Sequence, residues 1–375
     1  MALNLYVGEP QHENFPHMDD IFPTRTMVAA DVVFQFPEAA TITLPERFVY
    51  AGQKRSTKQL IEDTDTSALL VLKDGAVRFE QYYLTGGRDV RWISWSVAKS
   101  FVSALIGIAM DEGLIGSVEE PITKYVPGLS DSAYDGVSIK NVLQMSSGAR
   151  WNEDYSDANS DIHQLGSAMA GDSSLADFVG TIKQATEPGT LCQYNSADTQ
   201  ALGMLLVSVT GRSIADYMQE KLGIPLGMES PGYWIIDSAG MEMALGGLNL
   251  TARDFAKIGE LYRNKGVWGG QQIVPEAWVA ASTQADAGHL APGKVVVGGH
   301  IFPFGYGYQW WIPDGEVGEF SAIGVYNQFI YVDPSRKIVI VKLSANRKYG
   351  TSPDEAENRE EETMEFLRAI ARQMD

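Results

Sequence analysis

One cysteine, Cys192, stands in the 375-residue chain, so no intramolecular disulfide can form. A lone thiol fits a reducing compartment. Its place beside Tyr194 leaves two readings, a reactive thiol or a small buried hydrophobe, and the second is the plainer one. Basic residues are also in deficit. Lys and Arg total 29 against 48 Asp and Glu, a formal net charge of −19. Such a field opposes binding to nucleic acid or to an anionic membrane surface, and neither is expected as a partner. Long apolar runs are missing too. FVSALIGIAM and ALGMLLVSV are too short to span a bilayer. The opening MALNLYVGEPQHENFPHMDD has no basic stretch leading into an apolar one, as a secretory signal would. Together these features predict a cytoplasmic protein. The five histidines (12, 17, 163, 289, 300) are scattered and no H-E-x-x-H occurs, so no metal is expected. No G-x-S-x-G, P-loop or strand-following G-x-G-x-x-G is found, and no cofactor is expected.

What is present divides by texture. Hydrophobic residues at 45% and charged residues at 21% are ordinary for a globular chain. Residues 1–65 are rich in Pro, Thr and Asp and read as loops over a body. ALLVLKDGAVRFEQYYL (68–84) holds two apolar runs around Lys73-Asp74-Gly75, a β-hairpin pattern. WISWSVAKSFVSALIGIAMDEGLI (92–115) is apolar or small on every face up to Asp111, so it predicts a buried helix stopping near Gly113. From 117 to 245 short helical candidates alternate with Gly, Pro, Asp and Ser loops, and no strand pair is evident. Thr251 opens TARDFAKIGELYRNKG with a T-x-x-D capping pattern, and Gly266 ends it. GYGYQWWI, VYNQFIYVD and KIVIVKLSA read as antiparallel strands, and EAENREEETMEFLRAIARQM as an amphipathic helix. The fold class predicted is α+β: an antiparallel sheet flanked by helices, with an inserted, mostly helical domain. The expected boundaries are 1–116 plus 246–375 for the body and 117–245 for the insertion, with the active site in the cleft between them.

Ser96-Val97-Ala98-Lys99 is the only S-x-x-K in the chain. At the start of a helix, residues i and i+3 share a face. Free N–H groups and the helix dipole there favour developing negative charge. Burial among apolar neighbours lowers a lysine's pKa, and a neutral Lys99 could take the proton of Ser96. The other reading is a capping serine and a lysine that reaches the surface. Tyr194-Asn195-Ser196 lies between a Glu187-Pro188-Gly189 turn and a helix starting near Ala197. A phenol at such a junction, ionised beside an ammonium, could act as base or proton shuttle. Alternatively Tyr194 is packed and Ser196 is an N-cap.

The ordered segments WSVAKS, IKNVLQMSSGARW, EPGTLCQYNSADTQALGMLL, GGLNLTARDFAKIGELYRNKGVWGGQQIVPEAW, GYGYQWW and NQFIYVDPSRKIVIVKLS span roughly residues 68 to 345. In this order they resemble the serine β-lactamase and penicillin-binding-protein superfamily. Within it they are most similar to the 6-aminohexanoate-dimer hydrolases and β-lactamase-like esterases. The resemblance implies that Ser96 attacks a carbonyl and is acylated. It implies that Lys99 and Tyr194 shuttle the proton, and that Ser196 bonds in the same cluster. The Ser96 N–H would form half of an oxyanion hole, with Asn327 or Gln328 as its expected partner. Where many relatives carry K-T-G on an edge strand, this chain reads Ala322-Ile323-Gly324. Ile323 and Gly324 would still line the substrate, but the cation that grips a β-lactam carboxylate is missing. Lys348-Tyr349-Gly350 mimics the motif past the last strand and is discounted.

The loop RWNEDYSDANSDIH holds Glu153, Asp154, Asp157 and Asp161 around Tyr155. The resemblance implies that Tyr155 donates a hydrogen bond to substrate; the carboxylates either favour a substrate amine or form a solvated face. Trp151, Trp310 and Trp311 line a cleft or fill the core. The expectation is a serine hydrolase of small-molecule esters or linear amides, like the 6-aminohexanoate-dimer hydrolases. A short-chain carboxylesterase stays open beside it, and behind both a β-lactamase or DD-peptidase and a non-catalytic binding protein. A homodimer is left open.

Overall fold

The computed structural model describes residues 9–170, 173–315 and 318–375. Its centre is a seven-stranded antiparallel sheet. The spatial order is Gly305–Tyr306, Trp311–Ile312, Phe320–Gly324, Gln328–Asp333, Ile338–Ser344, Thr66–Lys73, Ala76–Tyr82. The predicted hairpin is there. Asp74 (φ 52°) and Gly75 (φ 72°) turn it, with Lys73 paired to Ala76. Two consecutive positive φ values make the turn that matches strand twist, and Asp-Gly is suited to both positions.

Strand alternation divides the core. Leu70, Leu72, Ile330, Val332, Val339 and Val341 face one cluster with Phe255 and Ala256 of the helix Ala252–Arg263. Leu69, Val71, Phe329, Tyr331, Ile338 and Ile340 face the other, with Met364, Phe366, Leu367 and Ile370 of the helix Glu360–Arg372. The first helix begins as predicted: the Thr251 side chain accepts from the Asp254 N–H, and Gly266 (φ 82°) lies past its end. It lies so close to the sheet that a Cβ on Gly259 would come 2.7 Å from Val339 Cγ1.

The sequence-based expectation needs two corrections. Residues 1–65 are not all loops: Thr24–Met27, the pair Arg47–Tyr50 and Gln53–Ser56, and the helix Thr57–Asp63 lie among them. The stretch 117–245 also contains a strand, Gly232–Ile235. It pairs with Thr24–Met27 on one side and Leu248–Leu250 on the other, and the latter pairs with Trp92–Ile93. These strands are two to four residues long and their partners are distant, so no local periodicity marks them. The Trp92–Ile93 strand of this small sheet ends three residues before Ser96. The remaining elements of 117–231 are helical, and Ser196–Thr210 packs against the buried helix Ala98–Asp111. No helix among the described residues is long and apolar enough to cross a membrane.

Candidate active site

The strand Trp92–Ile93 delivers the chain to a tight turn. Ser94 is tied to the small sheet through its N–H to Leu248 O at 2.7 Å. Trp95 follows with φ 44°, a left-handed conformation that costs a bulky residue and persists only when its surroundings fix it. They do: the Trp95 ring meets Phe15 at 5.5 Å and Tyr326 at 5.6 Å, and Phe15 also meets Trp92 at 5.7 Å. A single 3-10 turn, Trp95–Val97, carries Ser96, and the α-helix Ala98–Asp111 continues from it. Ser96 is thus on the turn that precedes the helix, with its side chain at the floor of a cleft.

Lys99 is 1% exposed and does not reach the surface. Its Nζ lies 3.0 Å from Ser96 Oγ, 3.1 Å from Ser196 Oγ and 2.8 Å from Leu245 O. Burial pushes its pKa down to about 8, opposed by the charge of Glu153. Tyr194 covers the same corner, with the Lys99 Nζ 5.3 Å from its ring centroid and Trp311 stacked on it at 5.1 Å. The phenol is pushed well above its ordinary pKa by burial and by the Glu153 charge, against a hydrogen bond with Ser96. That direction holds Tyr194 as the phenol, which suits the proton shuttle, one of the two roles its position suggests. Ser196 is not the helix cap. Asn195 is, its side chain accepting from the Ala197 N–H at 2.8 Å. That frees the Ser196 hydroxyl for Lys99.

Sequence reasoning grouped Glu153 with its acidic neighbours; the structure separates it from them. Glu153 is 1% exposed. Its Oε1 accepts from the Ser196 hydroxyl and from Tyr155 Oη at 2.7 Å, so the Tyr155 proton expected to reach substrate is spent on Glu153. Its Oε2 accepts from the Ser196 N–H at 3.0 Å and from the Trp151 indole. Trp151, Glu153 and Tyr155 alternate along the segment, and in an extended stretch such residues share one face. That spacing was the available signal. Asp161 instead pairs with Arg150 at 2.9 Å, and Asp154 and Asp157 bond within their own loop.

The cleft has two halves meeting at Ser96. One is apolar, lined by Ile162, Leu165, Met169, Leu175, Met243 and Leu245. The other is lined by Tyr194, Trp311, Ile323, Gly324, Tyr349, Glu355 and Glu360. Tyr155 and Val325 border both. Burial pushes the Glu360 carboxyl up to about 8, and it accepts the Tyr349 hydroxyl. Gly324 presses on the nucleophile turn: a Cβ there would stand 2.7 Å from Ser94 O and 3.1 Å from Ser96 N.

Asn327 and Gln328 are directed elsewhere. Tyr326 (φ 64°) and Asn327 (φ 68°) form the left-handed turn between two sheet strands, a conformation asparagine tolerates. The Asn327 amide donates to Asn358 O at 2.8 Å, and Gln328 bonds Trp92, Val325 and Ser344. Val325, two residues earlier, borders the cleft in their place. Of the discounted Lys348-Tyr349-Gly350, Lys348 points out toward Glu357, yet Tyr349 lines the cleft. Among the tryptophans, Trp311 lines the cleft, Trp151 holds Glu153, and Trp310 is core against Tyr262. Cys192 is buried, its thiol pushed up by desolvation, as a small hydrophobe would be. No group of three or more potential metal ligands occurs among the described residues.

The arrangement has counterparts in known proteins. The 6-aminohexanoate-dimer hydrolase of Paenarthrobacter ureafaciens is 34% identical over 340 residues, covering 88% of this chain and 84% of that protein. A Bacillus anthracis structure provisionally described as a 6-aminohexanoate-dimer hydrolase superposes with a TM-score of 0.86 at 26% identity, over 100% of this chain and 97% of the other. A family VIII carboxylesterase shares the fold, with a TM-score of 0.63 at 15% identity over 84% of this chain and 94% of that one. The beta-lactamase family model matches residues 57–363, which enclose the Ser96 turn, the Tyr194 junction and the strand that carries Gly324, and the chain belongs to that family.

Proposed function

We infer that the protein is a serine hydrolase that cleaves ester or linear amide bonds through an acyl-Ser96 intermediate. The 3.0 Å contact between Ser96 Oγ and the buried Lys99 Nζ, where the two halves of the cleft meet, carries this reading. A lysine whose pKa is lowered to about 8 is substantially neutral under mildly alkaline conditions and accepts the Ser96 proton as the oxygen attacks. The oxyanion then lies against the Ser96 N–H and the backbone at Gly324–Val325, which closes on the same turn. The Lys99 ammonium returns the proton to the departing oxygen or nitrogen through the Tyr194 hydroxyl. Water, deprotonated by the same pair, releases the acyl group and restores Ser96.

The lining of the cleft supports a substrate class. Ile323 stands where a cation would grip a carboxylate, and Glu355 and Glu360 line the same half. β-Lactams, whose carboxylate finds no cation in this half, are therefore poor substrates, and a linear aminohexanoate amide is favoured with its ammonium, not its carboxylate, on this side. A short-chain carboxylesterase is the second reading, because the same groups serve both carbonyls. The reading includes a cytoplasmic location, supported by the single buried thiol. The test presents the purified protein with p-nitrophenyl butyrate, linear 6-aminohexanoate dimer and nitrocefin, and with a fluorophosphonate. Turnover of the ester or dimer and an adduct on Ser96 by mass spectrometry are expected, both abolished in Ser96→Ala. Neither turnover nor adduct would sink the hydrolase reading.

A further inference from the structure

Each hydrogen bond around Lys99 has its own direction. Leu245 O, at 2.8 Å, can only accept. Ser196 Oγ has a single proton, and that proton is spent on Glu153 Oε1, so Ser196 too must accept from Lys99. A neutral amine has two protons and one lone pair. Both protons are thereby committed, and the lone pair is left for Ser96 Oγ, the third neighbour at 3.0 Å. The direction depends on Glu153. Its two oxygens receive four donors, two each: the Ser196 hydroxyl and Tyr155 on one, the Ser196 N–H and Trp151 on the other. Four donors fill the acceptor positions of an ionised carboxylate and leave no place for a carboxyl proton.

We propose that Glu153 is a positioning residue of the reaction: as a buried anion it fixes the Ser196 hydroxyl, and through it the Lys99 amine, so that the amine lone pair faces Ser96. The proposal rests on the inferred roles of Ser96 and Lys99. It adds a second consequence, because Glu153 is the anion whose charge acts on Lys99. The other titratable groups around this pair are Tyr194 against Lys99, Tyr155 against Glu153, and Asp198 and Tyr306, which feel the Glu153 charge. Tyr194 in turn feels Glu360. Tyr155 borders both halves of the cleft, so the same carboxylate ties the substrate wall to the base.

Glu153→Gln separates this role from plain packing. The amide keeps the shape but sets an NH2 against two donors whichever way it is turned. With p-nitrophenyl butyrate, kcat/KM is expected to fall about 100-fold, mainly in kcat. Its acid limb is expected to move to lower pH by about one unit, because the anion that favours the charged lysine is gone. Glu153→Asp should return the limb to its wild-type position with only part of the rate. Ser196→Ala, a gentler change, cuts the link and keeps the charge; it should lower kcat while the limb stays in place. A Glu153→Gln limb at the wild-type pH, or Ser196→Ala turning over at the wild-type rate, would overturn the proposal. Fluorophosphonate labelling of wild-type Ser96 in the same series tests the parent reading separately; without labelling or turnover both fall together.

Discussion

At the scale of residues, the site is a charge problem worked out in the interior. Lys99 and Glu153 are both about 1% exposed, and each would be costly alone. Ser196 stands between them and links them by hydrogen bonds. Desolvation outweighs the Glu153 charge, so Lys99 ionises at about 8 instead of in the ordinary lysine range. The sign for catalysis is direct: protonated Lys99 cannot accept from Ser96. kcat/KM for a neutral ester should therefore rise with pH, reach half its plateau near pH 8, and level off above it. A bell centred well below pH 7 would assign the base elsewhere. Four of the site residues, Ser96, Lys99, Tyr194 and Ser196, were legible in short motifs because each motif is local, with its members three or two positions apart. Glu153 was harder to see because its importance comes from burial, and an acidic residue in an acidic loop of a chain of net charge −19 looks like solvated surface. Asn327 failed for a backbone reason: its left-handed conformation turns the chain, and the same turn carries its amide away from Ser96.

At the scale of elements, the regular pieces were legible where their pattern repeats. The Asp74-Gly75 hairpin, the helix opened by Thr251 and the closing helix with its apolar face all carry a period over two or more turns or strands. The four-stranded small sheet was not legible, because its two- to four-residue strands have no room for a period and find partners far along the chain. One strand of the main sheet hides an oddity that no pattern announces. Lys342 is fully buried between apolar strand neighbours, bonded among the described residues to the hydroxyls of Thr64 and Ser344, and held well below its ordinary pKa by desolvation. The unfolded chain binds a proton there that the folded chain refuses. The resulting cost is absent above the ordinary lysine pKa and grows as pH falls toward the folded value. Lys342→Met should raise the melting temperature at pH 7 and flatten its dependence between pH 7 and 10, read by calorimetry. Thr64 and Ser344 keep other partners, so the exchange leaves no orphaned hydroxyl. A lower melting temperature at pH 7 would mean that the lysine is stabilising.

At the scale of the whole molecule, the sheet and the helical elements bring together residues from very different parts of the chain around one nucleophile: Ser96, Glu153, Tyr194, Leu245 and Gly324. The α+β class with an antiparallel sheet was readable from the order of elements. The cleft's division was not, because Glu355 and Glu360 come from the segment after the last sheet strand and carry no motif. Burial raises the carboxyls that line the cleft, so the field acting on an approaching substrate is set by the chain's net charge of −19. Association of a positively charged ester should thus weaken with ionic strength, while a neutral ester should not respond. Raising salt from 10 to 500 mM is expected to lower kcat/KM several-fold for a cationic ester alone. Equal responses of the two esters would show that the field does not reach the substrate.

The contact of Phe15 with Trp92 and Trp95 ties two ends of the molecule's history together. Residues that read as covering loop brace a backbone conformation that Trp95 would leave if unsupported. An enzyme nicked beside Phe15 would keep its sheet and its lysine, yet lose the rigidity of the turn that aims the nucleophile. The segment around Phe15 is, in effect, a wedge driven behind the nucleophile.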